Sequence, residues 1–198
     1  MDKDLVDEIE YLIDLLTKSG FFSKKEILEI LQDQFIDENI DFSRFNISFN
    51  DSKNHNFSIL EEVFKKLATK SIVSVHNCGY DFSEGVDDIF ELYIHLVNNS
   101  YSPLGFCFYT FEDVEEAISE NTLKITFGDF NRSEEDAFKI GQTIFKYLKE
   151  ANFDVKWNES INNPIEIHNF VWDKKYLPDK EYELEGAYDV FIGVFDEN

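Results

Sequence analysis

The chain is 198 residues long and 43% hydrophobic, with 21 Phe and 9 Tyr, which is ample apolar material for a packed core and excludes wholesale disorder. Its 41 acids against 18 bases give a formal net charge of −23. Acids outnumber bases in every quarter of the sequence, so the charge is not an acidic tail. A surface of this sign repels nucleic acid and anionic membrane, and neither is expected as a partner.

Two cysteines, Cys78 and Cys107, do not make a disulfide framework. The opening MDKDLVDEIE is acidic, unlike a signal peptide, and no apolar run reaches the roughly 18 residues of a membrane span. The expectation is a reduced, cytoplasmic protein. The excess charge has two readings. It keeps an aromatic-rich chain soluble, or it serves a basic partner or mimics nucleic acid.

In chain order, Asp4 can cap a first helix whose apolar positions Leu5, Ile9, Leu12, Ile13 and Leu16 fall on one stripe. Ser19-Gly20 ends it. Ser23 with Glu26 forms a capping box that opens a second helix carrying Ile27, Ile30, Leu31 and Phe35. Residues 1–40 therefore read as a helical hairpin, and its acidic flanks argue against a DNA-reading helix-turn-helix. Residues 41–57 read as a polar linker with one short strand at Phe45 to Phe49, and 58–198 as an α/β domain.

Within that domain Ser58 can cap a helix with Ile59, Leu60, Val63, Phe64 and Leu67 inward. Ser71 to Val75 is β-branched and strand-like. A helix from about Gly85 to Asn98 follows, with Ile89, Phe90, Tyr93, Ile94 and Val97 as its inward positions. Gly105 to Tyr109 suits a strand buried on both faces. Thr110 and Asp113 then open a helix through Ile118, and Leu123, Ile125 and Phe127 alternate as a half-buried strand. Strand, helix and strand from Leu104 to Phe130 suggest a βαβ unit with parallel pairing. The longest helix is expected from Glu134 to Ala151, then strands around Phe153 to Trp157 and Ile165 to Trp172. Tyr188 to Phe195, YDVFIGVF, reads as a last strand. The fold class is α+β or α/β, a mixed sheet with helices packed on it, containing a βαβ unit and preceded by the hairpin.

The candidate chemistry is sparse. The loop His76, Cys78, Gly79, Tyr80 and Asp81 holds the only close His/Cys pair, but zinc needs further ligands at spacings that are absent. No spacing supports Cys78 as a nucleophile with His76 or His168 as its base. The scattered glycines form no phosphate-cradling motif. No metal or cofactor is expected. Trp157 and Trp172, in neighbouring strands, are either core residues or an exposed binding pair.

Three stretches carry a resemblance: LEEVFKKLATKSIVSVHNCGY (Leu60 to Tyr80), GFCFYTFEDVEEAI with LKITFGDF (Gly105 to Phe130), and FDVKWN with IEIHNFVW (Phe153 to Trp172). Together they resemble an uncharacterised bacterial domain-of-unknown-function family. Its members show a cysteine-bearing CG loop, an aromatic strand running into an acidic helix, an L-x-x-x-F-G strand and a V-x-W turn. The sequence departs from that pattern at the loop, where members often carry more than one cysteine and only Cys78 is present. The resemblance implies a fold and no activity, catalytic residue or cofactor. Two functions are expected in competition. One is a non-enzymatic, acidic interaction module for a basic protein, of immunity or antitoxin type. The other is a small enzyme or ligand-binding protein that uses the His76–Asp81 loop.

Overall fold

The protein is described by a computed structural model covering residues 3–38, 40–49 and 55–196. The hairpin forms with the Ser23 cap as expected, but Asp4 lies within the first turn of α1 and does not cap it. Helix α1 runs Lys3–Ser19 and α2 runs Lys24–Gln34, with both halves of the Ser23/Glu26 capping box made. Ile9, Ile13 and Leu16 bury against Ile27 and Leu31. Gly20 sits between the helices at φ +70°, where a Cβ would stand 2.4 Å from the carbonyl oxygen of Lys174. Both the backbone conformation and the close approach require glycine.

The connecting segment holds no strand among its described residues. A short 3₁₀ turn, Phe42–Arg44, is capped by Asp41. Phe42 and Ile47 then fold back into the hairpin's own core, so Phe45 to Phe49 finds no neighbour to pair with. Residues 50–54 of that expected linker lie outside the described residues.

Helix α3, Asn56–Ala68, starts two residues before Ser58. Its cap comes from far along the chain: the Asp173 carboxylate accepts the Asn56 and Phe57 N–H groups at 2.9 and 2.8 Å. Beyond it lie β1 (Ile72–Val75), α4 (Phe82–Asn98), β2 (Gly105–Phe108), α5 (Phe111–Glu120), β3 (Thr122–Asp129), α6 (Glu134–Glu150), β4 (Asp154–Lys156) and β5 (Ile165–His168). The five strands make one mixed sheet in the order β1-β2-β3-β5-β4.

The sheet contains a parallel βαβ unit, but not the one expected. The parallel neighbours are β1 and β2, joined through α4, whereas β2 and β3 pair antiparallel. The register explains how a helix can join antiparallel neighbours. Phe108 at the end of β2 pairs with Thr126, leaving Thr122 to Ile125 extending past it to pair with β5. Those four residues span about 13 Å, close to the ~15 Å length of the ten-residue α5. We read α5 as running onward from β2 beside the first half of β3, with Asn121, at φ +54°, reversing the chain.

Strand parity divides the core. Ile72 and Cys107 face α3 and α6, while Val73, Val75, Phe106 and Phe108 face α4. The final segment corrects the expected terminal strand. Leu184–Asp196 is a helix, α7, on the β1 side of the sheet. Its Leu184, Ala187, Tyr188 and Phe191 fall at i, i+3, i+4 and i+7, a stripe hidden within a run of strand-forming residue types. Helix α4 is apolar on more than one face. It buries Ile89, Leu92 and Leu96, leaving the expected inward residues Ile94 and Val97 exposed. Among the described residues no helix is long and apolar enough to cross a membrane.

Candidate functional site

The loop after β1 is held open by backbone geometry. Asn77 and Gly79 both take positive φ, and a Cβ on Gly79 would lie 2.6 Å from the Gly85 nitrogen. The Cys78 N–H donates to the Tyr109 carbonyl, and the Phe111 and Glu112 N–H groups donate to the carbonyls of Gly79 and Tyr80. Asp81 caps α4 through the Glu84 N–H at 3.0 Å.

This geometry sends His76 and Cys78 into different parts of the core. His76 stacks on Phe64 with ring centres 4.4 Å apart, contacts Phe57 and Tyr182, and shares a 2.9 Å hydrogen bond between Nδ1 and the Tyr109 hydroxyl. Burial, with the cations Lys174 and Lys180 nearby, lowers its pKa to about 3, so the ring is neutral at pH 7. Cys78 packs in the cluster with Ile89 and Phe108, and its Sγ donates to the Gly85 carbonyl at 3.4 Å. Burial, then the charges of Asp88 and Glu183, push the thiol well above its usual range, the reverse of nucleophile activation. Cys107 is buried too, and its thiol is pushed up to about 12. No group of three or more His, Cys, Asp or Glu side chains among the described residues could hold a metal ion.

The two tryptophans do not form an exposed pair. Trp157 is half-buried among Phe127, Phe138 and Phe145, and its indole N–H donates to the Ser160 carbonyl. Trp172 packs with Phe21, Phe57 and Tyr109 and donates to the Ser19 carbonyl. Its neighbour Lys174 is buried. The ammonium donates to the Gly20 carbonyl and sits 3.9 Å from the Tyr182 ring centre and 4.2 Å from that of Phe21. Desolvation dominates over the attraction of Glu61 and lowers its pKa to about 7. Residues 172–174 thus fasten the hairpin and α3 to the sheet. They are struts, and nothing in the spacing of the sequence announces them.

What the loop does present outward is one wall of a groove of about 630 Å³ against the hairpin. Asn77, Gly79 and Tyr80 line it on the loop side, and Glu8, Tyr11 and Leu12 on α1. Leu15, Leu16, Phe22 and Phe111 make an apolar floor. Glu8, Asp88, Glu115 and Glu183 set four carboxylates around it, and no Lys or Arg is among the lining residues. Tyr80 stacks on Phe111 yet stays 55% exposed, and Tyr11, 56% exposed, donates its hydroxyl to Glu115. Desolvation and like charges raise the pKa values of Asp88 and Glu183, as expected where negative charge lacks a counter-ion. The contribution of α1 went unread in the sequence because Glu8 and Tyr11 lie off its apolar stripe.

The match that decides the family covers residues 2–176, hairpin and sheet together. The chain belongs to DUF6891, a family described as a domain of unknown function. The match extends beyond the stretch from Leu60 to Trp172 that carried the resemblance and ends before α7. No curated protein and no solved structure matches the chain.

Proposed function

We propose that this DUF6891 protein is a non-enzymatic, acidic, cytoplasmic interaction module of immunity or antitoxin type that binds a basic protein in the groove between α1 and the 77–80 loop. One observation carries the reading: four carboxylates surround an apolar floor without a lining cation. The overall charge of −23 would speed encounter with a basic partner. Tyr11 and Tyr80, both exposed at the groove, belong to a residue type enriched at binding hot spots. The competing enzymatic reading loses support from the burial of His76 and Cys78, which hydrogen-bond to Tyr109 and Gly85 rather than to one another.

The test is capture of partners from the native cytoplasm by the tagged protein, eluted in salt steps. The parallel bait carries Glu115→Lys and Glu183→Lys, and a control bait carries Glu134→Lys and Glu135→Lys on exposed positions of α6. A stoichiometric basic protein, released by moderate salt and absent only from the groove variant, is the expected result. Equal capture by all three baits would refute the groove as the interface.

A further inference from the structure

The groove's acids alone do not say which cation they hold, but Asn77 narrows the choice. Its side chain is 6% exposed and lines the groove, and its Nδ2 donates to Glu183 Oε1 at 3.1 Å. Its Oδ1 accepts nothing among the described residues, one of only two buried side-chain polar atoms left so. A buried acceptor without a donor is costly and uncommon in a folded protein. Here it stands beside a carboxylate to which it is already tied.

Resting on the reading of the groove as a site for a basic partner, we propose that it selects arginine over lysine, with Asn77 and Glu183 as paired acceptors for one guanidinium. A guanidinium is a flat fork of five N–H donors that can serve a carboxylate and a neighbouring carbonyl together. An ammonium is a compact, strongly hydrated point charge that gains little from a second, neutral acceptor. Asn77 Oδ1 is closed to water in the free protein, and pairing with the donor requires the Asn77 side chain to turn toward the groove. The methylenes of the arginine lie against Leu12 on the α1 wall and over Phe111 on the floor. The exposed Tyr80 ring offers a face of the kind on which guanidinium groups stack.

The probes are blocked hexa-arginine and hexalysine peptides, titrated calorimetrically at low salt into the wild type, Asn77→Gly and Tyr80→Ala. Glycine suits position 77 because the φ of +53° there would strain alanine. Tyr80→Ala removes an exposed ring and spares the core. Circular dichroism and thermal melting show that each variant is folded. The expected result is about tenfold tighter binding of hexa-arginine by the wild type, on the scale of one charge-assisted hydrogen bond. Asn77→Gly then equalises the two peptides, and Tyr80→Ala weakens hexa-arginine the more. Equal binding of both peptides by the wild type would overturn the arginine assignment and leave the basic-partner reading standing. Binding of neither peptide would overturn both.

Discussion

Lowering the pH from 7 to 5 tests the buried imidazole most directly. His76 has a pKa of about 3 in the folded protein against an ordinary 6.5, first because it is desolvated and then because Lys174 and Lys180 lie nearby. Above pH 6.5 the ring is neutral both folded and unfolded, and its contribution to stability is fully present. Between 6.5 and 3 the unfolded chain takes up a proton that the folded protein refuses, so stability falls as the pH drops through that window. At pH 5 the unfolded ring is favoured by a factor of roughly 30, which costs about 2 kcal/mol. His76→Phe removes the titration and keeps a planar ring against Phe64. It also strands the Tyr109 hydroxyl, so the variant starts less stable by about 1–3 kcal/mol. Urea unfolding followed by the fluorescence of Trp157 and Trp172 measures both proteins at both pH values. The loss from pH 7 to pH 5 should be about 2 kcal/mol smaller in His76→Phe. An identical loss in the two proteins would refute a neutral, proton-refusing His76.

Lys174 titrates in another window. With its folded pKa lowered to about 7 from 10.5, wild-type stability should rise with pH between 7 and 10.5, by at most about 1.4 kcal/mol per unit. Lys174→Met should flatten that rise in the same urea assay. Asp173→Ala removes the acceptor of the first two N–H groups of α3 and should cost about 2 kcal/mol, with Asp173→Asn recovering part of the loss in thermal melts. The thiols of Cys78 and Cys107 are buried and should resist Ellman's reagent in the folded protein yet react in urea. Prompt labelling without denaturant would contradict their burial.

The sequence was most legible where local chemistry alone sets the structure. The Ser23/Glu26 and Thr110/Asp113 capping boxes, the α1 stripe and the alternation of Leu123, Ile125 and Phe127 are each complete within a dozen residues, and each element formed as read. What failed was decided across distance. Whether β2 and β3 run parallel depends on whether α5 turns back or runs on, and no periodicity in Phe111 to Ile118 records that. The last helix does not show in the sequence because Tyr188 to Phe195 is rich in strand-forming types, while its stripe, starting at Leu184, is set by packing on β1. For the candidate site, the 76–81 loop drew notice through His76 and Cys78, which the core absorbs. The residues facing the groove, Asn77 and Tyr80, matter only once α1 supplies the opposite wall.

The fastening of Gly20 to Lys174 and of Ser19 to Trp172, across 154 and 153 positions, bears on how the protein is made. At the roughly 5–20 residues per second of synthesis, the hairpin waits on the order of 10–30 s after Gly20 is added before its anchor exists. For that interval Phe21, which packs against Trp172 and Tyr182, lacks the cover they later give it. A nascent chain stalled before residue 172 should therefore recruit chaperones, and one released beyond Lys174 should shed them.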